Sequence, residues 1–261
     1  MVASAPMQEL REKKRRGERI TALTAYDYPT ARLLDESGVD VILVGDSLGM
    51  VVLGYEDTTQ VTLADMLHHT RAVSRAVTRA LLVADLPIHT YDTPGDALRS
   101  ARDLIGAGAQ AVKLEGGMSH VPQIEAIVDA GIPLMAHIGM LPQSVREEGG
   151  YKVKGRTASE AEGLLNDGRA VEAGGAFAVV LEIVLANAAR EISTALTIPT
   201  IGIGSGDGCD GEILVTHDLI GLFPWFTPKF VKPEANVAAE MRAAFHAFID
   251  RTREPRPRPL V

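Results

Sequence analysis

Residues 39–50 read VDVILVGDSLGM, and this stretch decides the fold. Val41–Val44 is an apolar run without alternation, and all but Leu43 are β-branched. Such a run predicts a strand buried on both faces, as in a parallel sheet. It stops at Gly45, and Asp46 and Ser47 follow. An acid at the exit of a doubly buried strand stands where α/β proteins place their chemistry, beyond the carboxyl ends of the strands.

Working outward, the same pattern recurs. Strands are predicted over 20–25, 41–44, 80–84, 111–114, 133–136, 176–181 and 199–203, with a short one at 213–215. Between them lie helical patterns over 30–37, 63–78, 121–130, 158–173 and 186–196, and one opened by Thr93-Pro94 and closed near Gly106. Thr62 and Thr157 are N-caps by type and place, and Pro94 takes the favoured first position. A polar helix over 7–16 precedes the first strand, and a last helix over 235–249 follows the eighth. Regular alternation without an internal linker predicts a single (β/α)8 barrel over residues 1–250. An open doubly wound sheet is the other architecture, less favoured by so uniform an alternation. The proline-bearing tail 251–261 is expected to be disordered.

Composition narrows the function. The net charge of −8 argues against nucleic acid, which needs a basic surface. The basic cluster Arg11–Arg16 reads as a solvated helix face. Cys209 is the single cysteine, so there is no disulfide framework, which fits a reducing cytoplasm. No apolar stretch approaches the roughly 20 residues of a membrane span, and no signal-peptide pattern opens the chain.

The strand exits form a set: Asp46, Asp85, Glu115, His137 and Glu182, each after an apolar run. In a parallel barrel these exits share one end. One acid alone reads as a helix cap; five polar groups on successive strands do not. Four carboxylates in one mouth repel unless a cation is present. Hard divalent cations prefer oxygen ligands, so Mg2+ at Asp46 and Asp85, with Glu115 near, is the physical reading. Lys113 precedes Glu115 by two residues and shares its face. It either neutralises an acid, or is a cation that binds a substrate carboxylate or stabilises an enolate. His137 is a core histidine or a substrate contact. The adjacent His68 and His69 are poorly spaced for one metal and read as structural. Cys209 reads as a bystander, and Gly202–Gly208 as a barrel loop rather than a dinucleotide loop, since no helix opens from it.

As a set, VGDSLGM (44–50), VTLADMLHHT (61–70), LLVADLP (81–87), VKLEGG (112–117), PLMAHIGMLPQS (133–144), GGYKVKGR (149–156), IPTIGIGSG (198–206) and PKFVK (228–232) resemble the ketopantoate hydroxymethyltransferase family. The resemblance covers about residues 7–250 and implies a TIM barrel of the phosphoenolpyruvate/pyruvate-domain type. It implies Mg2+ held by Asp46 and Asp85 with Glu115 in the metal shell. It implies Ser47 and Lys113 as ligands of the 2-oxo acid, Glu182 as the base, and His137 as an accessory substrate contact. The implied substrates are 3-methyl-2-oxobutanoate and 5,10-methylenetetrahydrofolate, and the implied assembly is a homo-oligomer, often a decamer. Two stretches, 205–212 and 221–230, depart from the family pattern. The glycine pair Gly149-Gly150 makes 149–156 a candidate lid. Two rival readings are a 2-oxo-acid lyase or mutase on the same barrel, and a non-catalytic binding barrel.

Overall fold

A computed structural model describes residues 5–254. The chain divides into two compact units, Met1–Leu214 and Val215–Val261. The first contains β1 (Ile20–Thr24), β2 (Val41–Val44), β3 (Leu81–Asp85), β4 (Ala111–Glu115), β5 (Leu134–Gly139), β6 (Ala178–Glu182), β7 (Thr200–Ile203) and β8 (Gly211–Leu214). They close in sequence order into one parallel barrel, with β8 paired to β1.

The continuous apolar runs have a simple origin. Alternate residues face inward and outward, and both sides are packed. Inward, Ile20, Ala22, Val41, Leu43, Leu81, Val83, Ala111, Met135, Ala178, Val180, Ile201 and Ile213 fill the barrel. Outward, residues such as Ile42, Leu82, Val112, Leu134, Val179 and Leu181 pack with the helices in a second core. Met7 and Leu10 of the N-terminal helix Ala5–Arg16 belong to the inner core, so this helix covers the barrel's N-terminal end. Gly211 lets β8 close on β1, for a Cβ there would stand 2.5 Å from the Ile20 carbonyl oxygen.

Helix starts follow their caps. Thr62 and Asp65 form a capping box on Leu63–Ser74, and Thr93 and Thr157 accept from the third helical N–H of Pro94–Gly106 and Ala158–Ala173. Asp27 caps Tyr28–Ser37, two residues before the predicted start. Leu63–Ser74 stops short of residue 78 because the Thr78, Arg79 and Ala80 N–H groups all turn to the Asp35 carboxylate.

Several strands run further than the sequence predicts. β3, β4 and β6 include Asp85, Glu115 and Glu182 as their last residues, and β5 carries His137 within it. Polarity there marks a charged interior, not the end of the ladder. β8 starts two residues early, at Gly211.

In the second unit, a short helix Thr216–Leu219 precedes Val237–Arg253, which Asn236 caps. That helix takes in the first three residues of the expected disordered tail; residues 255–261 of the tail lie outside the described residues.

Candidate functional site

Followed toward its carboxyl end, the barrel interior changes from apolar to charged. The inward parity that places Val83, Ala111, Met135 and Val180 in the core also places Asp85, Lys113, Glu115, His137 and Glu182 above them. Register sets neighbours side by side: Asp85 opposite Lys113, and Glu115 opposite His137. Asp46 and Ser47 stand just past β2. All seven residues singled out by sequence therefore lie at one end of the barrel. Asp46, Asp85, Lys113, Glu115 and His137 are each at most 4% exposed, too enclosed for ordinary helix capping.

Their contacts form one network. Lys113 Nζ pairs with Asp85 Oδ1 at 2.8 Å and lies 3.3 Å from His137 Nδ1. His137 reaches Glu115 Oε1 at 3.5 Å and Glu182 Oε2 at 3.3 Å through its two ring nitrogens. The Asp46 backbone N–H donates to Asp85 Oδ2 at 3.1 Å. Ser47 Oγ and the Tyr26 hydroxyl are hydrogen-bonded at 2.8 Å, and the Tyr26 carbonyl oxygen is bonded to His69 Nδ1 at 2.6 Å.

The charges are not balanced. Burial, with Asp85 and Glu115 beside it, pushes the Asp46 carboxyl well above the usual carboxylate range. Burial also raises Asp85, more than Lys113 lowers it. Burial works to raise Glu115 too, but His137, Lys113 and the Gln143 N–H outweigh it and hold Glu115 low. Lys113 would be lowered by burial, yet Asp85, Glu115 and Asp46 hold it above its ordinary value. Burial and Lys113 would lower His137, but Glu115 and Glu182 raise it to about 9.

The donor set suits a hard cation. Asp46, Asp85 and Glu115 offer only oxygen, and Glu115 Oε1 is buried without a hydrogen bond. Among the described residues, no three His, Cys, Asp or Glu side chains are gathered into a ready-made metal cage. Two carboxylates, completed by water and substrate oxygens, match the way Mg2+ is usually held.

Three features of the site go beyond the sequence reading. Gln143 bonds both Asp46 and Glu115, and Tyr91 bonds Gln143. Ile183, next to Glu182, has φ of +48°, in the left-handed region that β-branched residues avoid. Gly139 has φ of +101°, and a Cβ there would stand 2.4 Å from the Glu182 carbonyl oxygen, so glycine lets β5 end tightly against Glu182. Spacing signals do not reveal these roles, although Gln143 lies in the PLMAHIGMLPQS motif. The 149–156 loop is tied to the β6 exit, with the Lys154 N–H donating to the Ile183 carbonyl and the Leu185 N–H to the Lys154 carbonyl, each at 2.9 Å.

The barrel is similar to solved structures of a putative phosphonomutase from Burkholderia cenocepacia (TM-score 0.67, 15% identity, 95% of this chain and 98% of that one). It is also similar to 2,3-dimethylmalate lyase (TM-score 0.64, 19% identity, 100% and 92%), described as a PEP mutase/isocitrate lyase superfamily member. At such identities the likeness establishes the fold alone. Sequence goes further. The 3-methyl-2-oxobutanoate hydroxymethyltransferase of Moorella thermoacetica is 54% identical over 250 residues, 95% of this chain and 93% of that protein. The protein of the same name from Enterococcus faecalis is 54% identical over 246 residues, 94% and 90% respectively. The family model for ketopantoate hydroxymethyltransferase matches residues 5–256. On these matches, the chain belongs to the ketopantoate hydroxymethyltransferase family.

Proposed function

We propose that the protein is an enzyme that transfers a hydroxymethyl group from 5,10-methylenetetrahydrofolate to 3-methyl-2-oxobutanoate, giving ketopantoate for pantothenate synthesis. Family membership supports the reaction. The observation that carries the mechanism is the charged layer of the mouth, with Asp46 just past β2, Asp85 ending β3 and Glu182 ending β6. In a ring of eight strands, β2 and β6 face each other. Substrate between them would meet the acid pair on one side and a base on the other.

Asp46 and Asp85 would hold Mg2+, with Glu115 in the metal shell. The ion supplies Lewis acidity that stabilises the negative charge developing on the 2-oxo acid. Lys113, kept protonated by the acids around it, offsets the substrate carboxylate. Ser47, oriented by Tyr26, hydrogen-bonds the oxo acid, and His137 is an accessory contact. Glu182 removes the C3 proton; its side chain is 13% exposed, against 2% for Glu115, so it reaches the open mouth. The carbon so activated would bond to the folate-borne methylene carbon; water supplies the hydroxyl that replaces the folate nitrogen there, and tetrahydrofolate leaves with the C3 proton and the second water proton on its nitrogens. The 149–156 loop, fixed beside Glu182, acts as a lid.

In the second unit, Trp225 is 77% exposed, and Phe226, Phe245 and Phe248 are exposed with it. Apolar surface of this kind supports assembly into a homo-oligomer. No described helix is long and apolar enough to cross a membrane, and with a lone cysteine we place the enzyme in the cytoplasm.

One assay tests the reading: purified protein, Mg2+, 3-methyl-2-oxobutanoate and methylenetetrahydrofolate, scored for ketopantoate with and without chelator. Product lost on chelation is expected. No product, or cleavage of the oxo acid instead, sinks the reading in favour of a binding barrel or a lyase. Glu182→Gln should abolish deuterium exchange at C3 while the oxo acid still binds; undiminished exchange removes Glu182 from the base role.

A further inference from the structure

Gln143 has no part in the chemistry above, yet it is 5% exposed and both hydrogens of its amide are taken up inside the mouth. It sits in the 3-10 turn Pro142–Ser144. Its amide nitrogen donates to the Leu86 carbonyl oxygen at 3.0 Å and to Asp46 Oδ2 at 2.8 Å. A carbonyl only accepts, which fixes which end of the amide is nitrogen. The Tyr91 hydroxyl then donates to Oε1. The Gln143 backbone N–H donates to Glu115 Oε2 at 3.1 Å. One residue thus grips one oxygen of each of two carboxylates. Glu115 Oε1 is left without a hydrogen bond, and the side-chain bond that Asp46 accepts from Gln143 falls on Oδ2, not Oδ1.

We propose that Gln143 is a positioning residue that sets the mouth's preference among divalent cations, by occupying one oxygen of Asp46 and one of Glu115 and leaving the other oxygen of each to the ion, with His137 Nδ1 3.5 Å from that of Glu115. A small octahedral ion is served by single oxygens, whereas a larger ion gains by taking both oxygens of a carboxylate. The Leu86 carbonyl and the Tyr91 hydroxyl hold the amide so that it cannot turn away. The inference rests on the metal reading given above.

The test is titration calorimetry of the full chain with Mg2+ alone and with Ca2+ alone, repeated with 3-methyl-2-oxobutanoate present. Gln143→Met keeps the length and removes the donor. It should weaken Mg2+ binding about 10- to 100-fold, the usual scale for partners of metal ligands. Ca2+ binding should hold or tighten, so that the preference for Mg2+ narrows by at least about tenfold. Equal weakening of both ions, or an unchanged ratio, overturns the proposal. If circular dichroism finds Gln143→Met unfolded, Tyr91→Phe decides: it frees the amide and should narrow the ratio by about threefold, and an unchanged ratio overturns the proposal. Asp46→Asn separates the two readings. Wild-type protein that binds neither ion, or an Asp46→Asn variant that binds as well as wild type, takes the metal reading down and this proposal with it. Binding that needs Asp46 but keeps its ion preference in Gln143→Met removes this proposal alone.

Discussion

The two ends of the barrel are both rich in charge, but they handle it differently. At the N-terminal end Lys13, Lys14, Asp40 and Asp210 all meet partners. Lys14 Nζ donates to the Ser193 and Ile198 carbonyls and to Asp210 Oδ2 at 2.8–3.0 Å. Asp210 also accepts from the Thr200 N–H and hydroxyl. Asp40 takes Lys13 and both donors of Thr21. At the carboxyl end, carboxylates crowd one lysine and one histidine, and Glu115 Oε1 and His137 Nε2 are buried without a hydrogen bond. Matched charge ties elements together. Unmatched charge costs stability and persists where a ligand can complete it.

The largest effect should come from Asp46→Asn. Turnover should fall about 100- to 1,000-fold, the scale of losing a preorganised charge. Its carboxyl is pushed up by burial and by its acidic neighbours, so neutralising it removes repulsion from the folded state. The metal-free protein should then melt about 2–4 °C higher, equivalent to about 1 kcal/mol. Scanning calorimetry after chelation checks this. A lower melting temperature would mean that the mouth stores no electrostatic stress.

Lys14→Met inverts the pattern. It strips three acceptors of their donor and should cost about 2–4 kcal/mol. Activity well below the melting point should be unchanged. A loss of turnover at constant folded fraction would show that the two ends are coupled.

Asp35 makes a smaller and pH-dependent case. It accepts from Thr78 N–H and hydroxyl, Arg79 N–H and Ala80 N–H. Burial opposes its charge, but these donors outweigh burial and hold its carboxyl below the usual range. Asp35→Asn should cost about 1–3 kcal/mol at neutral pH. Because the folded value is depressed, that stability is present above the unfolded value of about 3.9 and is lost as pH falls through the folded one. Urea unfolding of both proteins between pH 7 and pH 3 should show the gap shrinking only at the acid end.

The same contrast governs what the sequence discloses. Val41–Val44 and its counterparts are legible as doubly buried strands because both their faces meet apolar neighbours, and that is a local pattern. Asp46, Asp85, Glu115 and Glu182 stand out as a set, because helix capping explains one carboxylate after such a run but not its recurrence on strand after strand. Strand ends are misread at the mouth, since Glu115 and His137 still belong to the ladder while looking like loop. Gln143 is silent for another reason. A polar amide in a turn is ordinary, and only the fold brings it to Asp46, almost a hundred residues away. Asp35 is silent likewise, being one more acid on a helix until Thr78–Ala80 arrive beside it.

The smallest effect should be at Ile183, where the two ways of holding charge meet. Its φ of +48° is one an L side chain adopts at a cost of about 1–2 kcal/mol. The conformation is pinned on both sides: its N–H donates to the Ile203 carbonyl at 2.8 Å, and its carbonyl accepts from Lys154 N–H at 2.9 Å. Those bonds fix the backbone just past Glu182 and fasten the 149–156 loop to it. Ile183→Gly relieves the strain but loses side-chain packing and adds freedom to the unfolded chain. The terms oppose, so stability should move by less than about 1 kcal/mol. Glu182 is then held less firmly, and kcat should fall a few-fold while KM for the oxo acid stays put, because the ground-state contacts proposed above are those of Ser47 and Lys113. Replacement by Asn, which tolerates the left-handed region, should restore most of kcat. A KM change as large as the kcat change would place Ile183 among the substrate contacts, and the strained turn would then have no part in aiming the base.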